Sequence, residues 1–204
     1  MRFSLIGGID EVGRGPIAGP ITLCLFISGP NLNVKDIFSD GVLKDSKKLK
    51  KAQRISIFKT IRKFRKLKQH DITWYISSKP ASYIDKYGLT RAIDSCINSC
   101  VRRMAKLNPD LNATKFYLDG GLRIKGVSLA QETIIKGDEK CLQIALASII
   151  AKVTRDRYMS RISKKYRNYA WDTNVGYATR THRELINSHG LSPEHRVNFI
   201  LNKD

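Results

Sequence analysis

The residues of this chain best suited to chemistry are carboxylates. Asp10 and Glu11 stand side by side in "GIDEVGRGPIAGP" (residues 8–20), Asp119 lies in "TKFYLDG" and Asp138 closes "ETIIKGD". All of these segments are β-rich, and the strand ends of an α/β sheet converge on one edge, where active sites usually form. Carboxylates gathered there repel one another, and a hard, oxygen-preferring divalent cation is their natural neutraliser. Adjacent side chains on a strand point to opposite faces, so Asp10 and Glu11 share a site only if the strand ends there. Taken singly, an Asp beside a Gly is a turn-former; it is the set of four that argues for chemistry.

The charge balance names the kind of partner. Lys and Arg number 37 against 18 Asp and Glu, a formal net charge of +19, which points to an anionic partner, nucleic acid first. Acids in such a protein suggest Mg²⁺ held against a phosphate. Residues 47–68 carry eleven Lys or Arg and no acid, and residues 152–167 carry seven with one acid. Either stretch could be a solvated helix face, but such density without counter-charge favours a phosphate backbone nearby. The glycines Gly13-x-Gly15-x-x-x-Gly19 miss the dinucleotide-binding spacing, and two acids ahead of them would repel a pyrophosphate. The longest apolar runs, 21–27 and 142–151, are too short to cross a membrane. No signal peptide is visible, so a cytoplasmic protein is expected. Cys24, Cys96, Cys100 and Cys141 include no C-x-x-C pair and read as reduced thiols rather than a zinc site or disulfides.

The elements that must position the acids follow from periodicity. Residues 3–10 and 20–28 read as strands joined by the Gly-rich stretch. A basic helix over about 50–67 carries Ile55, Phe58, Ile61 and Phe64 on one face. Next come a strand at 72–76, a helix at about 89–107, the strand ending at Asp119 and a strand ending at Asp138. A long helix follows over about 141–166, and "TRTHRELINSHG" is the last helix, stopped by Gly190. With no repeat or linker, this mixed α/β order reads as one compact domain. In the long helix Ala145, Ala147, Ser148 and Ala151 are small enough for close packing on a sheet. Lys152 and Asp156, four apart, read as an ion pair, which leaves Asp156 outside any metal site. His182, His189 and His195 form no metal-ligand pattern, and no histidine is assigned a catalytic role. Arg14 could be a surface residue, a partner of the neighbouring acids or a contact to substrate.

Seven blocks, "GIDEVGRGPIAGP", "LKDSKKL", "YLDG", "KGD", "ASIIAKVTRDRYM", "GYATRTH" and "HRVNF", occur in an order and at spacings that resemble ribonuclease HII, the type 2 ribonuclease H family. The resemblance runs from residue 7 to about 199. It implies a ribonuclease H-like fold: a mixed five-stranded sheet flanked by helices, with a catalytic core over about 1–166 and a helical, substrate-contacting region over about 167–204. It places the catalytic metal ligands on Asp10, Glu11, Asp119 and Asp138. Two Mg²⁺ or Mn²⁺ ions about 4 Å apart would activate water and stabilise the departing 3′ oxygen. The implied activity is hydrolysis of the RNA strand of RNA/DNA hybrids. Incision 5′ of single ribonucleotides in duplex DNA also follows, leaving 5′-phosphate and 3′-hydroxyl ends.

The same resemblance makes Gly13, Arg14 and Gly15 a ribonucleotide-sensing loop, where glycine lets backbone approach a 2′-hydroxyl that both donates and accepts. It places Ser46 and Lys47 near nucleic acid and makes Tyr177 a reader of the junction between ribose and deoxyribose. A monomer without an obligatory protein partner is expected, and no clamp-binding peptide is evident after Phe199. Two departures stand out. Val12 replaces a common Ala, and residues 120–138 do not align one by one. With the first strand read from about Phe3, the sister type HIII, which has an added substrate-binding domain, is not expected. A noncatalytic binder of hybrid or structured RNA would share the charge and the helices, but has no use for clustered acids facing phosphate.

Overall fold

A computed structural model gives the fold and describes residues 3–201 except 39, 42, 44–47 and 109. Five strands, β1 (Leu5–Val12), β2 (Ile21–Ser28), β3 (Thr73–Lys79), β4 (Thr114–Asp119) and β5 (Gln131–Ile134), form one sheet in the order β3-β2-β1-β4-β5. The β1/β2 and β2/β3 pairs are antiparallel, and the β1/β4 and β4/β5 pairs are parallel. The helices described are α1 (Val34–Ile37), α2 (Lys51–Lys66), α3 (Ala81–Tyr87), α4 (Leu89–Leu107), α5 (Gly137–Lys140), α6 (Leu142–Ser163), α7 (Trp171–Asn174), α8 (Arg180–His189) and α9 (Val197–Leu201).

The core is built by the two-residue period of β2, all eight residues of which are buried. Ile21, Leu23, Leu25 and Ile27 face α4, which answers with Ile93, Cys96, Ile97, Cys100 and Met104 at helical spacing. Cys24 and Phe26 face the other way, among Ile57, Phe58 and Ile61 of α2 and Leu146, Ile149 and Ile150 of α6. This alternation is what a strand covered on both sides requires. The apolar run 142–151 is the buried half of α6, and among the described residues no helix is long and apolar enough to cross a membrane. A smaller cluster of Met159, Ile162, Tyr169 and Trp171 seats the C-terminal helices on the far end of α6. The four cysteines are free, as expected of reduced thiols.

Several features differ from the sequence reading, among them the short helices α1 and α7, which it did not anticipate. The helix α3 was hidden because Pro80 and Gly88, at φ +81°, leave it only seven residues. A further short helix, α9, follows the one that Gly190 ends. Asp138 does not end a strand: β5 stops at Ile134, Lys136 turns the chain at φ +55°, and Asp138 lies in the first turn of α5.

Gly8 sets the spacing between sheet and helix. A Cβ there would stand 2.1 Å from the carbonyl carbon of Gln143, so α6 lies backbone-on-backbone against β1. Gly8→Ala must push α6 off the sheet, and the expected cost is at least the ~1–3 kcal/mol of an overpacked core. A denaturation midpoint unchanged from the wild type would refute this contact.

Candidate active site

The parallel pairing of β1 with β4 ends at Ile9 and Leu118, while its pairing with β2 continues to Val12. The two strands therefore part company just where Asp10 and Asp119 stand. Here the structure corrects the sequence reading: β1 does not end at Asp10 and Glu11. The two acids share one cavity because β4 peels away beside them. That cavity, about 330 Å³, is lined by Asp10, Glu11 and Asp119 together with Val12, Gly13, Arg14, Gly15, Ser148, Lys152 and Tyr177.

Each side chain is fixed by its element. Asp10 shares the face of Gly8, is 5% exposed, accepts the Glu11 amide at 2.8 Å and hydrogen-bonds Ser148 of α6. Burial, then Glu11, then Asp119 push its carboxyl well above the usual carboxylate range, against the pull of Ser148. Glu11 is raised too, chiefly by burial, although Arg14 Nη1 donates to its Oε1 at 2.7 Å. Among the readings open to Arg14, the structure realises partnership with the neighbouring acid. Asp119 Oδ1 accepts the Gly137 amide at 2.7 Å, tying the end of β4 to the turn that carries Asp138. Asp138 itself is buried and does not line the cavity. Ser46 and Lys47 lie outside the described residues.

Whether this set suits a divalent cation can be tested on its own chemistry. Three oxygen-donor carboxylates line one cavity, two of them with raised pKa values, and Glu11 Oε2 is buried without a hydrogen-bond partner. Oxygen donors whose charge lacks compensation fit Mg²⁺ or Mn²⁺. Among the described residues, no three Asp, Glu, His or Cys groups converge into a ready-made metal cluster. The fit rests on donor chemistry.

Sequence reasoning missed two lining residues. Ser148, read as a packing residue, touches Asp10, and Lys152 stands one helical turn further along the same face. The signal was available in their four-residue spacing. The expected Lys152 and Asp156 pair is present at 2.7 Å, with Arg54 of α2 at 3.9 Å from the same carboxylate. Beyond it, Lys51, Arg54, Arg157, Arg161 and Lys164 surround a second cavity of about 340 Å³ between α2 and α6.

Tyr177 is 43% exposed, and its Cε1 lies 3.9 Å from where a Cβ on Gly15 would stand. Its backbone is anchored from behind. His182 Nδ1 bonds the Tyr177 carbonyl at 2.8 Å, and His182 Nε2 meets Trp171 Nε1 at 3.0 Å and His195 Nε2 at 3.2 Å. The Ser192 amide donates to His195 Nδ1 at 2.9 Å. This network fixes the Nδ1–H form of His182 and the Nε2–H form of His195, which makes both histidines structural.

The comparisons agree with this architecture. The solved ribonuclease H2 of Pyrococcus horikoshii OT3 superposes with a TM-score of 0.67 at 25% identity, covering 94% of this chain and 92% of its own. The solved Bst-RNase HIII in complex with Mn²⁺ gives a TM-score of 0.69 at 18% identity, over 93% of this chain and 64% of its own. The fold is therefore ribonuclease H-like. The family model described as Ribonuclease HII matches residues 7–202. Ribonuclease HII of Halalkalibacterium halodurans is 37% identical over 97% of this chain and 68% of its own, and that of Trichodesmium erythraeum is 38% identical over 96% and 86%. The chain belongs to the ribonuclease HII family, metal-dependent endoribonucleases acting on RNA/DNA hybrids.

The histidine pair gives a pH prediction. Burial lowers both pKa values from the ordinary 6.5, that of His195 to about 4 with His182 as the second cause. The unfolded chain thus takes up these protons before the folded one, so their contribution to stability is full above about pH 6.5 and falls as pH drops toward about 4. Between about pH 7 and about pH 5, the melting temperature of the wild type should fall more than that of His195→Gln. Parallel slopes would refute the assignment of neutral histidines.

Proposed function

We propose that the chain cleaves the RNA strand of RNA/DNA hybrids and incises 5′ of single ribonucleotides embedded in duplex DNA, by two-metal phosphodiester hydrolysis. The observation that carries this reading is the single cavity that joins Asp10, Glu11 and Asp119 to Gly13, Arg14, Gly15 and Tyr177. Acids for cations and a glycine loop for a sugar line the same cavity.

Asp10, Glu11 and Asp119 would hold two Mg²⁺ or Mn²⁺ ions, with Asp138, buried on α5 outside the cavity lining, as the fourth carboxylate. When bound, such ions supply a water of lowered pKa as nucleophile and neutralise the departing 3′ oxygen. Ser148 orients Asp10, and the Gly137 amide orients Asp119. Arg14 holds Glu11 from the solvent side and keeps a positive charge beside the scissile phosphate. Gly15 leaves backbone open to a 2′-hydroxyl. The exposed Tyr177 ring beside it packs on the next sugar, where a deoxyribose leaves room for it. Ser46 and Lys47, by the family resemblance, would contact the nucleic acid.

The test is a panel of end-labelled duplexes containing zero, one or many ribonucleotides. Metal-dependent cuts should fall on the 5′ side of a single ribonucleotide, with all-DNA spared and with 5′-phosphate and 3′-hydroxyl products. Asp10→Asn should abolish cutting without weakening duplex binding, and Ser148→Ala should lower activity about 10- to 100-fold through a looser ligand. Tyr177→Ala should remain folded and lose junction cutting. Incision on the 3′ side, or retained cleavage by Asp10→Asn, would overturn the reading.

The basic cavity between α2 and α6 suits the phosphate backbone as the duplex leaves the site. Its rim residues Arg157, Arg161 and Lys164 are exposed, and they follow Lys152 along α6 at a rise of ~1.5 Å per residue, a short step for a duplex backbone. Replacing all three with Ala should weaken binding of every duplex sequence. The log-affinity against log-salt slope should flatten by about 0.9 for each phosphate that is no longer neutralised. An unchanged slope would make this cavity a solvated face.

A further inference from the structure

Two arginines that the chemistry above does not use are fully buried: Arg155 on α6 and Arg196 just ahead of α9. Among the described residues neither makes a salt bridge; their guanidinium hydrogen bonds all go to backbone carbonyls, and the Arg196 guanidinium also lies over the Phe199 ring, 5.3 Å from its centroid. Arg196 donates from Nη2 to Gly13 at 2.7 Å, from Nη1 to Arg14 at 3.1 Å and from Nε to Gly19 at 2.9 Å. Arg155 donates from Nε to Pro20 at 2.9 Å, from Nη2 to Ala18 at 3.0 Å and from Nη1 to Val175 at 2.9 Å.

These acceptors belong to two segments. Gly13, Arg14, Ala18, Gly19 and Pro20 form the loop between β1 and β2, and Val175 is two residues ahead of Tyr177. Main-chain bonds complete the join: the Ile17 and Ala18 amides both reach the Gly176 carbonyl, at 2.9 and 3.2 Å, and the Arg196 amide reaches Ile17 at 2.8 Å. The space is filled to contact. A Cβ on Gly13, at φ +97°, would stand 2.5 Å from Arg155 Nε, and one on Gly176 would stand 2.4 Å from the Ala18 carbonyl.

We propose that Arg155 and Arg196 are positioning residues that lock the loop of residues 13–15 and the Tyr177 segment into one rigid unit, and thereby set how strictly the enzyme reads a ribose-to-deoxyribose junction. The proposal rests on the reading of that loop and of Tyr177 as the two contacts to the sugars. Arginine is suited to the task because its planar fork carries five fixed donors, which hold three carbonyls at once in a geometry that one lysine ammonium cannot reproduce. With its carbonyls turned toward Arg196, the loop keeps its other edge for the substrate. A shift of about 1 Å between loop and tyrosine separates two contacts that must meet adjacent sugars, and misplacement on that scale costs about 100-fold in rate.

The experiment measures kcat and KM for Arg196→Lys and Arg155→Lys on a duplex with one ribonucleotide and on a hybrid with an all-RNA strand. Each variant should lose about 100-fold in kcat on the single-ribonucleotide duplex with KM little changed, and lose much less on the hybrid, where no junction is read. Arg155→Lys should add nothing further in a Tyr177→Ala background, because both changes remove the same coupling. Equal losses on the two substrates, or losses that add in the double variant, would reduce the arginines to general stability. Native-state hydrogen exchange on the wild type tests the same claim without a variant. The amides of Ile17, Gly19, Gly176 and Arg196 should open as one unit, and independent opening of Gly176 would overturn the proposal. A wild type that cuts neither substrate would instead refute the function proposed above, so the two failures are distinguishable.

Discussion

The contact on which the structure depends is the one between α6 and β1 at Gly8. Because the strand has no side chain there, a helix axis can approach a sheet until backbone meets backbone, and everything further along α6 inherits that registration. Ser148 then falls beside Asp10, Lys152 enters the cavity, Arg155 reaches the loop after β1, and Met159 meets Gly19. One helix thus fills the core and, through Ser148, Lys152 and Arg155, also builds and braces the site. That double use explains why α6 has no consistent apolar stripe: its exposed and buried faces change along its length.

Electrostatics sort the molecule in a complementary way. The excess of cations lies on the exposed faces of α2 and the second half of α6, where a phosphate backbone can be met without desolvating the acids. The carboxylates are withdrawn into a cavity that raises the cost of their charge. A site built so is poor at holding bare carboxylates and good at holding cations, because each ion relieves burial and mutual repulsion together.

Much of this was legible in the chain. β1, β2, β4, α2, α4 and α6 announce themselves through alternation or helical spacing, and three of the four acids sit at the cavity the strand ends suggested. What escaped has physical reasons. Asp138 looked like a strand end because "ETIIKGD" is β-rich, yet the left-handed Lys136 ends that pattern before the acid. Ser148 looked like packing because a small residue on a buried helix has two uses and spacing alone does not choose. Arg155 looked like one more cation in the basic stretch 152–167, and Arg196 was only a member of the block "HRVNF". Only the carbonyls that converge on them in space distinguish a buried arginine from a solvated one, and those carbonyls come from residues far away in the chain.

The use of arginine and carbonyl, rather than arginine and carboxylate, fits the electrostatic demand of the site. A buried ion pair would fix the loop equally well, but its acid would stand close to a substrate that is itself polyanionic. Carbonyl oxygens satisfy the guanidinium donors with dipoles and bring no formal negative charge into contact, the charge of Asp85 reaching Arg196 only through space. Burial opposes that charge, lowering the pKa of Arg196 to about 9 with Arg155 as the second cause. Even so, Arg196 remains predominantly protonated at neutral pH. The same two side chains that brace the loop therefore add positive potential behind it.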